Sequence, residues 1–269
     1  MEREGFYMLG LIVWQQIGAG KRLRTVTVEE TAILRVPFLR VEVSRSPRTR
    51  PGTLERRMIR AAQKLRQAGV SRTVLPADYP VSLWPRRYGV EVISTLSLRR
   101  SLAVELVRRI TAERGLPPGR VRVAVTAGQM TGELVKTVTE LALGYRYVML
   151  DVPYGGEELC RRLRREYGVS LLLQPDREQM EAAQVLVAFD RRTDLSGENE
   201  AVVALYEGAD ASFPPLTVPP SVEAQLPVGA DRLQLLAALR SAGVLAPGQI
   251  SLDVPALDIL KSSNYNTTL

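Results

Sequence analysis

The chain contains no histidine, only one cysteine (Cys160) and only four lysines. Without histidine, the chain can form neither a Ser-His-Asp nor a Cys-His catalytic arrangement, and no imidazole can bind a metal. A single cysteine is too few for a structural zinc site and excludes an internal disulfide framework. A Mg²⁺ or Ca²⁺ site made of carboxylates alone stays open, although the sequence has no EF-hand-like loop. Any acid–base chemistry must use groups other than imidazole.

Long apolar runs are also scarce. The run near the start of the chain, residues 6–14, has nine residues, which is too few to span a bilayer. Acidic residues precede this run, which is not typical of a signal peptide. Together with the near absence of cysteine, these features predict a cytoplasmic protein without a membrane segment.

Because lysine is rare, the basic residues are almost all arginine, and they are unevenly distributed. Residues 1–117 carry 22 basic and 10 acidic residues, whereas residues 118–269 carry 14 and 19, for a total of +7. Arginine suits bidentate contacts with phosphate or carboxylate, although a genomic composition bias produces the same excess. The asymmetry indicates an anionic partner for the first half or contact between the halves.

The clearest anion-binding candidate is an arginine cluster in the first half, although a solvated basic face is its ordinary interpretation. Its members lie in a loop and in the helix predicted after it: Arg45, Arg48, Arg50, Arg56, Arg57 and Arg60. Aromatic residues make up only 6% of the chain, and no helix-turn-helix pattern is present. The sequence therefore does not predict a nucleic-acid partner.

The segment from Val121 to Asp151 is the most informative part of the sequence. A short apolar strand (121–125) is followed by a turn (126–132), an amphipathic helix and a second apolar strand (147–150). In a dinucleotide-binding α/β unit, turn glycines let the backbone approach a phosphate, the helix N-terminus supplies amide donors, and a carboxylate takes the ribose hydroxyls. The predicted binding residues are Gly128, Gln129, Met130, Thr131, Gly132 and Asp151.

The predicted fold class is α/β, with two domains. The Gly/Pro-rich break at residues 115–119 predicts a boundary between an N-terminal mixed α/β domain (1–117) with an early β-hairpin or meander and a second domain (118–269). In the second domain, short apolar runs at 121–125, 147–150, 169–173, 185–189 and 201–205 alternate mainly with helices. This predicts a Rossmann-like parallel sheet with helices on both faces, then a C-terminal helix (231–242) and a polar tail (262–269).

On this pattern, residues 119–205 resemble the NAD(P)-binding Rossmann domains that follow an N-terminal substrate domain in shikimate-dehydrogenase-like and glutamyl-tRNA-reductase-like proteins. The Gly128-x-x-x-Gly132 spacing departs from G-x-G-x-x-G, and Asp151 follows Gly128 by 23 residues. The resemblance implies NAD as cofactor, with amides of residues 129–133 on the phosphates and Asp151 on the adenosine ribose. An acidic residue there favours NAD over NADP because it repels a 2′-phosphate.

Catalytic candidates are few. The shikimate-dehydrogenase-like enzymes use a Lys–Asp pair, for which this chain offers Lys64 and Asp78; the alternatives are a solvated surface lysine and an Asx-type turn. A Tyr-x-x-x-Lys pair is absent. Cys160 lies among arginines that could lower its pKa, but burial against the sheet is its expected role. The turn at residues 154–156 either lines a pocket or has no side-chain role.

Two functions fit these observations. One is an NAD-binding protein, with oxidoreductase activity on a small molecule held in a crevice between the domains. The other is a non-catalytic Rossmann-like protein with a structural or regulatory role, which binds a protein or an anionic partner through its basic N-terminal half. Substrate, pathway and oligomeric state are not specified by the sequence.

Overall fold

The computed structural model describes residues 8–16, 26–192, 194, 199–208 and 213–252, which divide into two compact units. The first unit holds the described residues up to Leu98 together with Val218–Ile250. The second holds those from Arg99 to Thr217 together with Ser251 and Leu252. This division differs from the boundary expected at residue 117, because the chain changes unit at residue 98 and later returns to the first unit. The predicted tail at residues 262–269 lies outside the described residues.

The first unit is built on a five-stranded sheet with the order β2-β3-β1-β4-β5. Its strands are β1 (Leu9–Gln16), β2 (Val26–Ile33), β3 (Val36–Arg45), β4 (Arg72–Val74) and β5 (Glu91–Val92). Strands β2 and β3 form an antiparallel hairpin, and the other neighbouring strands are parallel. Strand β1 pairs with β3 and not with β2, so the three strands do not form a meander.

Helix α1 (Pro51–Gln67) covers this sheet with an apolar stripe. Its buried residues, Met58, Ala61, Ala62 and Leu65, recur at helical spacing. The helix begins at Pro51, whose fixed φ suits the first helical turn. Helices α7 (Pro220–Glu223) and α8 (Arg232–Ser241) also belong to this unit, and α2 (Leu96–Ser101) begins in it and passes into the second unit at Arg99. Helix α8 is attached to β4 by Gln234, whose Oε1 accepts a hydrogen bond from the Leu75 amide at 2.9 Å.

The second unit contains a five-stranded parallel sheet with the order β10-β9-β6-β7-β8. Its strands are β6 (Arg122–Thr126), β7 (Tyr147–Asp151), β8 (Leu172–Leu173), β9 (Val185–Ala188) and β10 (Ala201–Ala204). All four neighbouring pairs are parallel. This is the strand order of a Rossmann-like sheet. Successive strands are added on one side of the central strand, here β6, and then on its other side. The predicted fold class is confirmed.

Helices lie on both faces of this sheet, as predicted. They are α3 (Ala103–Glu113), α4 (Gly132–Gly144), α5 (Gly156–Tyr167) and α6 (Arg177–Glu181). Helix α6 packs Met180 on one face, against Ala124, Met149 and Leu186. Successive strand residues point to opposite faces, so Val123 and Val125 are buried on the other face. The short strands β11 (Leu216–Thr217) and β12 (Ser251–Leu252) pair antiparallel. No helix in the described ranges is both long and apolar enough to cross a membrane.

Candidate functional site

The predicted glycine turn lies at the carboxyl edge of the second sheet, between β6 and α4. The amide of Gly128 donates a hydrogen bond of 2.6 Å to Oδ2 of Asp190, which follows β9. A Cβ on residue 128 would lie 3.3 Å from the same oxygen, so glycine permits this close approach. An amide at the reversal point of the sheet therefore already faces an anionic oxygen.

The other four turn residues have different surroundings. Thr131 is the N-cap of α4, and its hydroxyl accepts from the Leu134 amide at 3.2 Å. Gly132 begins α4, and a Cβ on this residue would meet no other atom within 4 Å, so packing does not require glycine there. Gln129 is exposed, whereas Met130 is half-buried and lies against Gly155 in the turn before α5. The turn thus contacts the neighbouring β7–α5 connection.

Asp151 ends β7 as predicted, and it forms an ion pair with Arg192. The same guanidinium nitrogen donates to the hydroxyl of Thr126 at 2.8 Å, and Arg192 also binds both carboxylate oxygens of Asp194. The pKa of Arg192 is raised by its hydrogen bond to Asp194 and then by Asp151, against the opposing effect of burial. The hydrogen bond from Arg192 lowers the pKa of Asp194 to about 2. Asp151 therefore sits in a charge-compensated cluster.

Three residues of this edge, Asp190, Arg192 and Arg100, were not identified from the sequence. Asp190 carries the same signal that identified Asp151, an acidic residue directly after a buried strand. Arg100 binds the carbonyl oxygens of Phe189 and Leu205, at 2.9 and 3.1 Å, and lies 3.4 Å from Glu133 in the first turn of α4. These hydrogen bonds hold the ends of β9 and β10. No local sequence pattern could identify Arg100, because its acceptors are about 90 and 105 residues away in the chain.

The two catalytic candidates lie in the first unit and are not brought together there. Asp78 follows β4 and accepts hydrogen bonds from the Trp14 indole and from Arg45. Burial acts to raise the pKa of Asp78, but these two donors lower it below its usual value. Lys64 is exposed in the last turn of α1, which runs from the carboxyl edge of β3 back toward the start of β4. The two side chains therefore lie at opposite edges of the first sheet.

The remaining sequence candidates take ordinary positions. Cys160 is buried on α5, 8% exposed, as expected. In the N-terminal cluster, Arg45 pairs with Asp78 and Arg57 donates to the Ser44 carbonyl, whereas Arg48, Arg50, Arg56 and Arg60 are exposed. Tyr154 is 86% exposed, and with Gly155 and Gly156 it lines a cleft of about 400 Å³. This cleft adjoins the end of β7.

Comparison with known proteins gives similarity to solved structures only. No protein-family model matches the chain, and no curated protein matches it. L-Tryptophan dehydrogenase from Nostoc punctiforme is 14% identical, with a TM-score of 0.27, 56% of this chain covered and 44% of that one. The NAD-complexed D-isomer specific 2-hydroxyacid dehydrogenase from Lactobacillus delbrueckii ssp. bulgaricus is 14% identical, with a TM-score of 0.24 and coverages of 50% and 45%.

Ornithine carbamoyltransferase from Pyrococcus furiosus is 17% identical, with a TM-score of 0.26, and the match covers 72% of this chain and 62% of that one. The chain spans less than half the length of the two dehydrogenases. TM-scores of this size carry no functional argument. The Rossmann-like assignment rests on the strand order and register of the second unit.

Proposed function

We propose that the second unit binds a dinucleotide of the NAD type at the carboxyl edge of β6, β7 and β9. The observation that carries this proposal is the Gly128 amide, which donates at 2.6 Å to the carboxylate of Asp190. Amides at a helix N-terminus bind phosphate oxygens as well as carboxylates, and we take the Asp190 carboxylate to stand where a phosphate oxygen would bind. In the proposed complex, a phosphate replaces Asp190 at this amide.

Asp151 is the proposed ribose ligand. Arg192 binds one of its oxygens, Oδ2, and the proposal uses the carboxylate's remaining acceptor capacity for the ribose hydroxyls. An oxidoreductase acting on a small molecule is the enzyme class that such a dinucleotide would serve. A substrate crevice between the two domains stays a prediction of the sequence, which identifies no proton donor for the reaction.

Thermal melting of the whole chain with NAD, NADH, NADP and NADPH tests the proposal. A ligand at 100 times its Kd stabilises the folded state by about 2.7 kcal/mol, which is readily measured. Asp151→Asn should weaken binding without unfolding the protein. A melting temperature that is unchanged by all four nucleotides would overturn the proposal.

Asp190→Ala provides a sharper test, because the variant removes the internal competitor of the phosphate. We expect it to bind dinucleotide about tenfold more tightly, since a charge-assisted hydrogen bond of this kind is worth roughly 1.5 kcal/mol. Glu178→Ala is the matched control: it removes one exposed carboxylate from α6 and should leave the affinity unchanged. Weaker binding in Asp190→Ala would show that Asp190 supports the site and does not compete for it.

A second candidate function is favoured by the same contacts. Gly128, Thr126 and Asp151 all have partners supplied by Asp190 and Arg192 of the same chain, as in a Rossmann-like unit that binds no cofactor. Such a protein would work through an anionic or protein partner at the basic N-terminal half. Between Arg45 and Arg72 that half carries nine basic residues and one acidic residue, Glu55. Salt-dependent stabilisation by polyphosphate, without any nucleotide effect, would support this function.

A further inference from the structure

A second feature of this unit is an arginine-lined cleft of about 490 Å³ beside the glycine turn. One wall is helix α5, which contributes Arg161, Arg162 and Arg165 together with Glu158. Met130 of the glycine turn and Val135 of α4 also line the cleft. Three guanidinium-bearing residues thus share one cleft with a single carboxylate, so a bound anion would be attracted there.

These arginines differ from their neighbour on the same helix. Within the part of the chain that the structure describes, no ion pair involves Arg161 or Arg162, and Arg165 meets only Glu166, at 3.5 Å. Arg164, in contrast, points elsewhere and donates to the hydroxyl of Ser170 at 3.3 Å. All four side chains are exposed. The cleft arginines are therefore available to a ligand, and Arg164 provides a built-in comparison.

A second cleft, next to this one, adjoins the end of β7. This second cleft, of about 400 Å³, shares Arg161 and Glu158 with the first, and is also lined by Leu150 and Val152, which flank Asp151. In a Rossmann-like unit, this is the side on which the adenosine ribose lies. The charge of Asp151, which by itself would repel a phosphate, is compensated by Arg192.

We infer that the cleft formed by Arg161, Arg162 and Arg165 is a subsite for a phosphate carried on the adenosine ribose, so that the site selects a phosphorylated dinucleotide of the NADP type. This inference rests on the proposed dinucleotide function. It reverses the preference that the sequence predicts from Asp151 alone. The shared chemistry is a phosphate dianion bound by planar guanidinium groups, and its source is either a ribose phosphate or a free phosphate.

Isothermal titration of the whole chain distinguishes these sources with matched ligand pairs, each differing only by the ribose 2′-phosphate: NAD against NADP, and AMP against 2′,5′-ADP. Inorganic phosphate alone is the third ligand. We expect NADP and 2′,5′-ADP to bind at least about tenfold more tightly than their partners, as charge-assisted hydrogen bonds to the extra phosphate predict. The double variant R161Q/R162Q should lose this preference and keep its affinity for NAD. Arg164→Gln should change neither affinity.

Each contrary outcome has a distinct meaning. NAD binding as tightly as NADP would overturn the subsite and leave the proposed function intact. An equal loss of NAD and NADP binding in R161Q/R162Q would assign the arginines a structural role, which also overturns the subsite. Inorganic phosphate binding as tightly as 2′,5′-ADP would indicate a phosphate site unrelated to a dinucleotide. If no dinucleotide binds at all, the subsite fails together with the proposed function.

Discussion

The two sheets place similar ion pairs at their carboxyl edges, but the groups beside those pairs differ. In the first unit, Arg45 pairs with Asp78 and lies over the ring of Trp14, 5.0 Å from its centroid. In the second, Arg192 pairs with Asp151, next to a strand that leads into a glycine turn and helix α4. At the first edge an aromatic side chain, Trp14, contacts the ion pair. At the second edge a main-chain amide, that of Gly128, donates to a carboxylate.

This difference shows why an Arg–Asp pair alone does not identify a ligand site. The pair in the first unit is half-exposed and is completed by an indole N–H, so its groups satisfy one another. In the second unit the pair is accompanied by Gly128, whose amide donates a hydrogen bond to the Asp190 carboxylate, an acceptor that a ligand oxygen could replace. The distinguishing feature is the backbone donor and not the charges.

Arg100→Met should have the largest effect on stability, and it should be confined to the second unit. The side chain is 18% exposed and binds carbonyl oxygens at the ends of β9 and β10. Losing these charge-assisted bonds should cost about 3 kcal/mol of the free energy of unfolding. Urea unfolding followed by circular dichroism measures the change.

The chain supplies an internal reporter for the location of this effect. Its two tryptophans, Trp14 and Trp84, both belong to the first unit, so fluorescence follows that unit alone. The fluorescence transition of Arg100→Met should match that of the parent chain. Arg108→Met, an exposed change on α3, should leave both signals unchanged. Equal shifts of both signals would show that the two units unfold as one.

Gln234→Leu is the corresponding test in the first unit. It removes the acceptor of the buried Leu75 amide, and an unpaired buried amide costs about 1–3 kcal/mol. Here the fluorescence transition should move to lower urea concentration. The exposed substitution Gln225→Leu is the control for the change in side-chain type. An unaltered fluorescence midpoint would show that the hydrogen bond from helix α8 does not stabilise this unit.

Local patterns predicted the second unit well. Its five apolar runs and the helices between them were found at the expected places, because each element buries its own regular stripe or run. Asp151 was also found at its strand end. These features depend on residues that are close in sequence, so they can be read from local patterns.

Long-range pairings were not predicted. The Gly128–Asp190 contact joins residues 62 positions apart, and the Leu75–Gln234 hydrogen bond joins residues 159 apart. Periodicity contains no information on such partners. For the same reason, the parallel pairing of β1 with β3 and the return of residues 218–250 to the first unit were missed.

Turns with positive φ allow opposite substitutions to be tested in the two units. In the hairpin between β2 and β3, Leu34 and Arg35 both have positive φ, 49° and 68°, without being glycine. Arg35→Gly should therefore stabilise the first unit by about 0.5–1 kcal/mol. In the second unit, Gly168 ends α5 at φ 70° with open space around it, so Gly168→Ala should destabilise by about 1 kcal/mol. Changes of the same sign in the two urea midpoints would contradict this account.

The smallest expected effect concerns the pH dependence of the pair in the first unit. Because Trp14 and Arg45 hold the pKa of Asp78 below its usual value, its ionised form stabilises the folded state above about pH 5, and this contribution is lost as the pH falls through the lowered pKa. The carboxylate is half-exposed, so the contribution should stay under about 1 kcal/mol. Asp78→Asn should therefore be less stable than the parent chain at pH 6 and nearly equal to it near pH 2. If the stability difference between the two proteins is the same at pH 6 and pH 2, the ion pair contributes nothing to the free energy of unfolding. The difference would then come only from the packing and neutral hydrogen bonds of the side chain.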